Sequence, residues 1–409
     1  MEPNEVIDKL PPEMRSTLRR VLDSLPPQER DTLISLFRGV PSQSNMLRTL
    51  VGLSINQAKQ AFGDKHRVVI TGPANVGKST LYNQFVRSKQ DQAAVSPIPG
   101  TTRVNQQADA GLFAVVDTPG ADAVGEVGEG ERARAFEAAR SADILIIMFD
   151  AIQGIKKAEQ ELFYDLRALG KPYIVVLNKI DLVRKEEDAV VAHAAGNLGL
   201  ETEQIIPIAA RDGRNLSQVL MAIVVAEPQL IAALGRALPE YRSQLAWRSI
   251  TSAASIAAVI ALTPLPVIDF APLVVTQSIM VLGIARIYQY DINLSRAREL
   301  IATFGLGLLG RTLFMEISKL GGVPGWLLSS AIAASTTVAM GLAAINWFEK
   351  GEKMSAETLN QLTRKVTSQM LESFKSLGKR RPSKDTLKQH VEEALQNTDV
   401  INRQKNSPQ

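Results

Sequence analysis

Residues 68–79 read Val68-Val69-Ile70-Thr71-Gly72-Pro73-Ala74-Asn75-Val76-Gly77-Lys78-Ser79, an apolar run followed by a glycine-rich turn. Glycines at this spacing ahead of Lys-Ser are typical of a phosphate-binding loop, in which backbone N–H groups turn towards phosphate oxygens and a helix then begins. In that geometry Lys78 reaches the β- and γ-phosphates, and the Ser79 hydroxyl binds Mg²⁺. The run therefore predicts a nucleotide site at a strand–helix junction.

The sequence around this loop alternates between strand-like and helix-like segments. Apolar runs occur at 68–71, 112–117, 144–150, 173–178 and 205–208. Helical segments fall between them, at roughly 78–87, 130–141, 156–168, 186–197 and 214–225. This alternation predicts an α/β P-loop NTPase with a mostly parallel sheet and helices on both faces. Ligands bind such sheets at the carboxyl ends of the strands.

Three further motifs follow in the order that a GTPase requires: Pro99-Gly100-Thr101-Thr102-Arg103, Asp117-Thr118-Pro119-Gly120 and Asn178-Lys179-Ile180-Asp181. The first offers a hydroxyl to Mg²⁺ from a mobile loop. The second places a carboxylate near the metal and a backbone N–H near the γ-phosphate. In the third, the Asp181 carboxylate accepts two hydrogen bonds that guanine donates and adenine lacks. We expect Asn178 to brace the loop and face the base, with the Lys179 stem over the purine.

These motifs make residues 64–228 resemble the Era/TrmE class of bacterial Ras-like GTPases, through Pro-Xaa-Asn-Val-Gly-Lys-Ser, Pro-Gly-Thr-Thr-Arg and Asp-Thr-Pro-Gly. The resemblance implies slow hydrolysis of GTP to GDP and phosphate, with Mg²⁺ held by Ser79, Thr102 and Asp117. It implies catalytic roles for Lys78, Thr102, Gly120 and Asn75. Expected nucleotide contacts are Gly72, Asn75, Val76, Gly77, Lys78, Ser79, Thr80, Asn178, Lys179, Asp181, Ala209, Ala210 and Arg211.

Two positions depart from better-known patterns. The fifth motif, Ser-Ala-Lys in the family, reads Ala209-Ala210-Arg211, a tolerable change because its base contact comes from backbone N–H. Ras-type enzymes orient water with a glutamine where this chain has Ala121, and the resembled class also lacks that glutamine. Some members of the class use K⁺, held partly by an asparagine that matches Asn75. Whether Asn75 holds K⁺ or only braces the loop stays open; either way, we expect stimulation by dimerisation or a partner.

Composition excludes several other classes of chemistry. The chain of 409 residues has no cysteine, which excludes disulfides, iron–sulfur clusters and thiol catalysis. Its three histidines lie far apart, which argues against structural zinc. No apolar stretch follows Met1, so we expect a cytoplasmic location.

The flanking regions are predicted to be all-α. The repeated openings Leu10-Pro11-Pro12 and Leu25-Pro26-Pro27 indicate helix starts, because proline is favoured at the first helical position. We predict an N-terminal helical region over 1–63, the GTPase domain over 64–228 and a hydrophobic helical domain over 229–350. Polar and basic helices, at about 355–378 and 384–396, and a disordered tail complete residues 351–409.

The hydrophobic domain contains three uncharged stretches, 249–268, 270–285 and 320–348. Trp326 and Trp347 bracket the third at the spacing of interfacial anchors, which favours membrane association. Its serines and threonines equally fit a buried helix of a soluble bundle. Residues 245–350 also resemble a YcjF-type domain of unknown function, through 265–273 and 284–288, and this resemblance implies membrane association.

Charge and motifs together give one leading hypothesis. Residues 229–409 carry a net charge of +7, which favours an anionic partner such as lipid headgroups or RNA. We expect a GTP-hydrolysing switch that controls a helical domain at the cytoplasmic face of a membrane, with a homodimer formed through the GTPase domain. One alternative is a soluble ribosome or RNA-assembly GTPase, although the chain shows no RNA-binding module. The other is a GTP-dependent scaffold with negligible turnover.

Overall fold

The computed structural model describes residues 19, 67–86, 102–103, 112–117, 135–183, 185–262, 271–292, 296–297, 299–300, 324–378 and 381–396. The predicted N-terminal helices and the disordered tail lie outside these residues. The chain divides into two compact units. The nucleotide unit comprises Gly63–Ala93 and Gln106–Tyr241, and the helical unit comprises Met1–Phe62, Ala94–Asn105 and Arg242–Gln409. The domain boundaries drawn from the sequence stay predictions.

The nucleotide unit is built on a five-stranded sheet with the order β3-β1-β4-β5-β6. All four neighbouring pairs are parallel. The strands are β1 (Val68–Gly72), β3 (Phe113–Asp117), β4 (Ile144–Asp150), β5 (Tyr173–Asn178) and β6 (Ile205–Ile208). They coincide with the predicted apolar runs to within one residue at each end. The predicted parallel P-loop fold is therefore confirmed.

Burial explains why these strands occupy the centre of the unit. Every residue of β1 and of β4 is buried, as expected for a parallel sheet covered on both faces. The helices that follow the strands are α1 (Lys78–Val86), α2 (Lys157–Ala168), α3 (Glu187–Leu198), α4 (Leu216–Ala226) and α5 (Ile231–Ala237). Residues 135–140 are also helical, inside the segment predicted at 130–141.

The register of the sheet brings the predicted motifs to one edge. Gly72, at the end of β1, is paired with Asp117 at the end of β3. Asp150, at the end of β4, is paired with Asn178, which in turn faces Ile208 of β6. Five strand ends thus meet at the carboxyl edge, where parallel α/β sheets bind their ligands.

The helical unit consists of α6 (Arg242–Leu262), α7 (Ala271–Ile287), α8 (Gly325–Lys350), α9 (Ala356–Phe374) and α10 (Lys384–Gln396). Helix α8 packs against α6, α7 and α9, and α6 also packs against α10. The approach of α6 to α8 is close, because a Cβ at Gly341 would overlap the Ile250 side chain. The two polar helices predicted from the sequence correspond to α9 and α10.

Two helices in the described residues are long and apolar enough to cross a membrane, judged by length and composition: Pro239–Leu262 and Gly325–Lys350. A third span arises if the bent pair Leu216–Ala226 and Pro228–Ala237 is counted as one. In the most apolar windows of the first two, 78% and 94% of residues are buried inside the structure. The two helices cover each other, and the polar helices α9 and α10 add further cover on α8 and α6 respectively.

Two hydrogen bonds join buried polar side chains to neighbouring helices in the helical unit. The Ser330 hydroxyl donates to the Ala258 carbonyl of α6 at 3.0 Å. The Gln277 amide of α7 donates to the Thr337 hydroxyl of α8 at 3.2 Å. These bonds give Ser330 and Gln277 the partners that buried polar groups require, and they join α8 to α6 and α7.

The helical unit also contains a short antiparallel pair that the sequence did not predict. Strand β2 (Thr102–Arg103) pairs with β7 (Tyr290–Asp291), so that Thr102 faces Asp291 and Arg103 faces Tyr290. The C-terminal region, which the sequence predicts to be helical, thus also contains the two-residue strand β7. Two residues are too few to show a strand periodicity in sequence.

Candidate nucleotide-binding site

The turn between β1 and α1 is shaped by three residues with positive φ: Gly72 at 143°, Asn75 at 62° and Gly77 at 97°. Gly72 is required for a second reason, because a Cβ there would overlap the Met148 carbonyl of β4. The turn ends at the first turn of α1, where the helix dipole and the N–H groups of a helix N-terminus favour an anion. The loop thus has the backbone form that a phosphate cradle needs.

Lys78 is the buried cation of this loop, with a side chain only 3% exposed. Its ammonium donates to the Gly72 carbonyl at 2.8 Å and to the Pro73 carbonyl at 2.5 Å. The charge is therefore held across the mouth of the turn by main-chain oxygens. Phosphate oxygens entering the turn would meet a cation that is already in place.

Asn178 ties the phosphate loop to the fifth motif. Its amide donates to the Val76 carbonyl at 2.8 Å, and its carbonyl oxygen accepts the Ala210 N–H at 2.9 Å. The side chain is 3% exposed, and a Cβ at Gly77 would overlap it. The bracing expected of Asn178 is thus present in the geometry, and it spans two motifs rather than one.

Lys179 has a left-handed backbone, with φ of 69°. Its ammonium donates to the Asp150 carboxylate at 2.5 Å, and the other oxygen of Asp150 accepts the Ile152 N–H at 2.8 Å. Asp150 is 4% exposed. The sequence reasoning did not single out Asp150, although an acidic residue ending an apolar run was the signal available. Asp181 follows on the short turn Ile180–Leu182 and is half-buried.

The fifth motif forms a tight turn closed by a bridge between Ala209 and Arg214. The N–H of Ala209 donates to the Arg214 carbonyl at 3.3 Å, and that of Ala210 is used by Asn178. Among the described residues, the Arg211 N–H has no hydrogen-bond partner, so it is the donor of this motif left for a base. Gln84 of α1 donates to the Arg211 carbonyl at 3.0 Å, a link that the sequence did not indicate.

The remaining predicted site residues lie in the phosphate loop, at the end of β3 and in β2, apart from one. Ser79 and Thr80 are exposed at the start of α1, and Val76 is buried beneath the loop. Asp117 lies beside Gly72 by register. Thr102 lies in β2 of the helical unit, and Gly120 falls outside the described residues. Ser79 has a hydroxyl and Asp117 a carboxylate, and both are hard oxygen ligands. Such ligands bind Mg²⁺ together with phosphate oxygens.

The family comparisons agree with this geometry. The model of a family described as 50S ribosome-binding GTPase matches residues 67–179, and a domain of unknown function, DUF697, matches residues 226–398. Residues 67–179 are thus similar to the GTPase domain that this model describes. The resemblance to Era/TrmE-class GTPases fused to a YcjF-like domain is thereby confirmed.

The same part of the chain is also similar to individual GTPases. The chain is 36% identical over 179 residues to GTPase Der of Psychrobacter cryohalolentis, covering 41% of this chain and 36% of that protein. Against the tRNA modification GTPase MnmE of a Synechocystis species, identity is 37% over 167 residues, covering 37% of this chain and 35% of that protein. The chain thus spans about a third of the length of these relatives.

Among solved structures, Era of Aquifex aeolicus bound to GDP and AlF₄⁻ is 25% identical to the chain. The TM-score is 0.32, over 49% of this chain and 68% of that one.

Proposed function

We propose that the chain is a GTP-hydrolysing switch whose nucleotide state controls the helical unit. The observation that carries the proposal is the Asn178 bridge, which joins Val76 of the phosphate loop to Ala210 of the fifth motif. Because the base-reading and phosphate-binding elements form one hydrogen-bonded body, occupation of the base site favours the loop conformation that receives phosphates.

The residues present fit a magnesium nucleotide. Ser79, Thr102 and Asp117 would hold Mg²⁺, and the ion when bound neutralises charge on the β- and γ-phosphates. Lys78 adds a buried cation at the same phosphates, and Gly120 is assigned an N–H to the γ-phosphate. Asp181 accepts the guanine donors while the Arg211 N–H faces the base.

Hydrolysis is expected to be slow, because Ala121 cannot orient water. Asn75 is exposed and has a left-handed backbone in the phosphate loop, and its amide oxygen is a donor atom of the kind that K⁺ accepts. A GTPase-domain homodimer would supply the stimulation. Turnover at matched ionic strength in K⁺ and in Na⁺ tests this point, and equal rates would remove K⁺ from the proposal.

Base choice tests the nucleotide assignment itself. Asp181→Asn replaces a paired acceptor with a donor, so the variant should lose affinity for GTP and gain affinity for XTP. Competition titration with GTP, XTP and ATP on both proteins measures this exchange. Equal binding of ATP and GTP by the unmutated chain would reject the assignment, and GTP binding with no measurable turnover would favour the scaffold function.

Membrane association at the cytoplasmic face is part of the proposal. Its support is the length and hydropathy of Pro239–Leu262 and Gly325–Lys350, together with the basic surplus of this half. Since 94% of the apolar window of α8 is buried, insertion requires helices that cover α8, including the polar helix α9, to leave it. Flotation of the full chain with liposomes tests this, and a chain that never floats is not membrane-associated.

The match to a family of 50S ribosome-binding GTPases favours one second function, a ribosome-linked GTPase. The basic surplus of residues 229–409 is compatible with RNA as the anionic partner. Co-sedimentation with ribosomal subunits in GDP and in a non-hydrolysable GTP analogue distinguishes the two. Co-sedimentation without flotation would replace the membrane function with this one.

A further inference from the structure

Strand β2 belongs to the nucleotide motifs by sequence and to the helical unit by contacts. Residues 102–103 close the motif Pro99-Gly100-Thr101-Thr102-Arg103, which is assigned a ligand of Mg²⁺. In the structure, the segment Ala94–Asn105 groups with Arg242–Gln409, and Thr102 and Arg103 pair with β7. The motif assigns Thr102 to the Mg²⁺ site, whereas in the structure the same residue pairs with β7 of the helical unit.

The β7 side of this pair is firmly anchored in the bundle. Tyr290 is 2% exposed, and its ring lies 5.2 Å from that of Phe348 on α8, measured between centroids. Ile292 is also buried, and β7 packs against α7. A left-handed residue, Gln289 with φ of 66°, turns the chain from α7 into β7. The bundle therefore presents β7 as a fixed edge on which a second strand can form.

We propose that β7 is a docking edge for residues 102–103, occupied when GTP is absent and vacated when Thr102 joins Mg²⁺ and the γ-phosphate. This inference rests on the proposed GTPase function. Its occupant is a segment of this same chain, already seated in the structure. The pair would be the physical link by which the nucleotide acts on the helical unit.

The number of hydrogen bonds between β2 and β7 limits how much the pair can change nucleotide affinity. A two-residue ladder contains few hydrogen bonds, so a change of about tenfold in relative nucleotide affinity is expected. The linkage is reciprocal: whatever stabilises the pair lowers GTP affinity relative to GDP by the same factor by which GTP weakens the pair. A switch of this kind is weak enough to respond to a single ligand.

Amide hydrogen exchange of the full-length protein tests the pairing directly. Peptides covering 288–292 should be protected with GDP and should exchange faster with a non-hydrolysable GTP analogue. Thr102→Ala, which lacks the metal-binding hydroxyl, should keep these amides protected with both nucleotides. If the analogue binds and exchange at 288–292 does not change, the docking inference is wrong while the GTPase assignment stands. If neither nucleotide binds, the proposed function itself fails.

Two substitutions at Asp291 measure the coupling between the β2–β7 pair and nucleotide binding. Asp291→Pro removes a backbone N–H from β7 and disfavours pairing, whereas Asp291→Ala keeps the N–H. We expect the proline variant to bind the GTP analogue about tenfold more tightly relative to GDP, and the alanine variant to stay within about twofold of the unmutated chain. Exchange protection of α8 in the same samples reports whether the bundle is folded. If the bundle of Asp291→Pro is intact and its affinity for the GTP analogue relative to GDP is unchanged, the inference is wrong. If the bundle is disrupted, the exchange experiment on the unmutated chain decides the question.

Discussion

Gly77 combines a left-handed backbone, with φ of 97°, and direct contact with the Asn178 amide. Gly77→Ala adds a Cβ that overlaps this amide, so the bridge between the phosphate loop and the fifth motif must shift. We expect GDP affinity to fall by about 100-fold, since backbone strain and a displaced buried amide act together. Titration with a fluorescent guanine nucleotide measures the loss.

Gly154 provides a matched control for this substitution. It also has a positive φ, of 67°, but an added Cβ would meet nothing within 4 Å. Gly154→Ala should lower the free energy of unfolding by about 1–2 kcal/mol, the cost of a left-handed alanine, and leave GDP affinity unchanged. Similar affinity losses in both variants would mean that strain alone, and not the contact with Asn178, disables the site.

Asp150 acts on the base site through Lys179, because its carboxylate accepts a hydrogen bond from the Lys179 ammonium at 2.5 Å. Asp150→Asn removes the charge while an amide oxygen can still accept the Ile152 N–H. Affinity for GDP and GTP should fall together by about three- to tenfold, as expected for the loss of one charge-assisted hydrogen bond. In a double-mutant cycle, adding Asp150→Asn to Lys179→Ala should cost nothing further. Additive losses would show that Asp150 acts by another route.

At the scale of elements, α9 covers the apolar face of α8. The Ser335 hydroxyl on α8 lies 2.6 Å from that of Thr367 on α9, and Val366 and Phe374 are fully buried. Val366→Asp buries an unpaired carboxylate at this seam and should destabilise it by about 3 kcal/mol or more. The variant should melt earlier and float with neutral liposomes, because the uncovered face of α8 is apolar.

The control lies two residues away on the same helix. Ser368 is exposed, so Ser368→Asp adds the same charge on the solvent side and should change stability by no more than about 0.5 kcal/mol. Flotation should match that of the unmutated chain. If Val366→Asp melts earlier but does not float, α8 is the core of a soluble bundle and lipid does not replace α9.

Sequence reasoning was strongest where one physical signal acted alone. The buried strands of a parallel sheet are continuous apolar runs, so β4 and β5 were predicted at their observed bounds. The environment of α8 was left open, because an uncharged stretch reads the same whether lipid or α9 covers it. Contacts such as Lys179 with Asp150 depend on strand register, and the pair of β2 with β7 joins residues far apart in sequence. Neither leaves a local pattern.

At the scale of the whole molecule, the nucleotide can control membrane association only through a difference in affinity between two states. The helical half carries the basic surplus, so liposomes containing anionic lipid are the appropriate surface. We expect the full chain to float about fivefold more with a GTP analogue than with GDP, a difference within the usual range of coupling between two sites. Neutral liposomes of the same size control for lipid charge. The variant Asp181→Asn, assayed with the GTP analogue and with the corresponding XTP analogue, tests whether the difference in flotation depends on the nucleotide site. Equal flotation with the two guanine nucleotides would mean that the membrane contact exists but is not switched. In that case the pairing of β2 with β7 would act on a different partner of the helical unit.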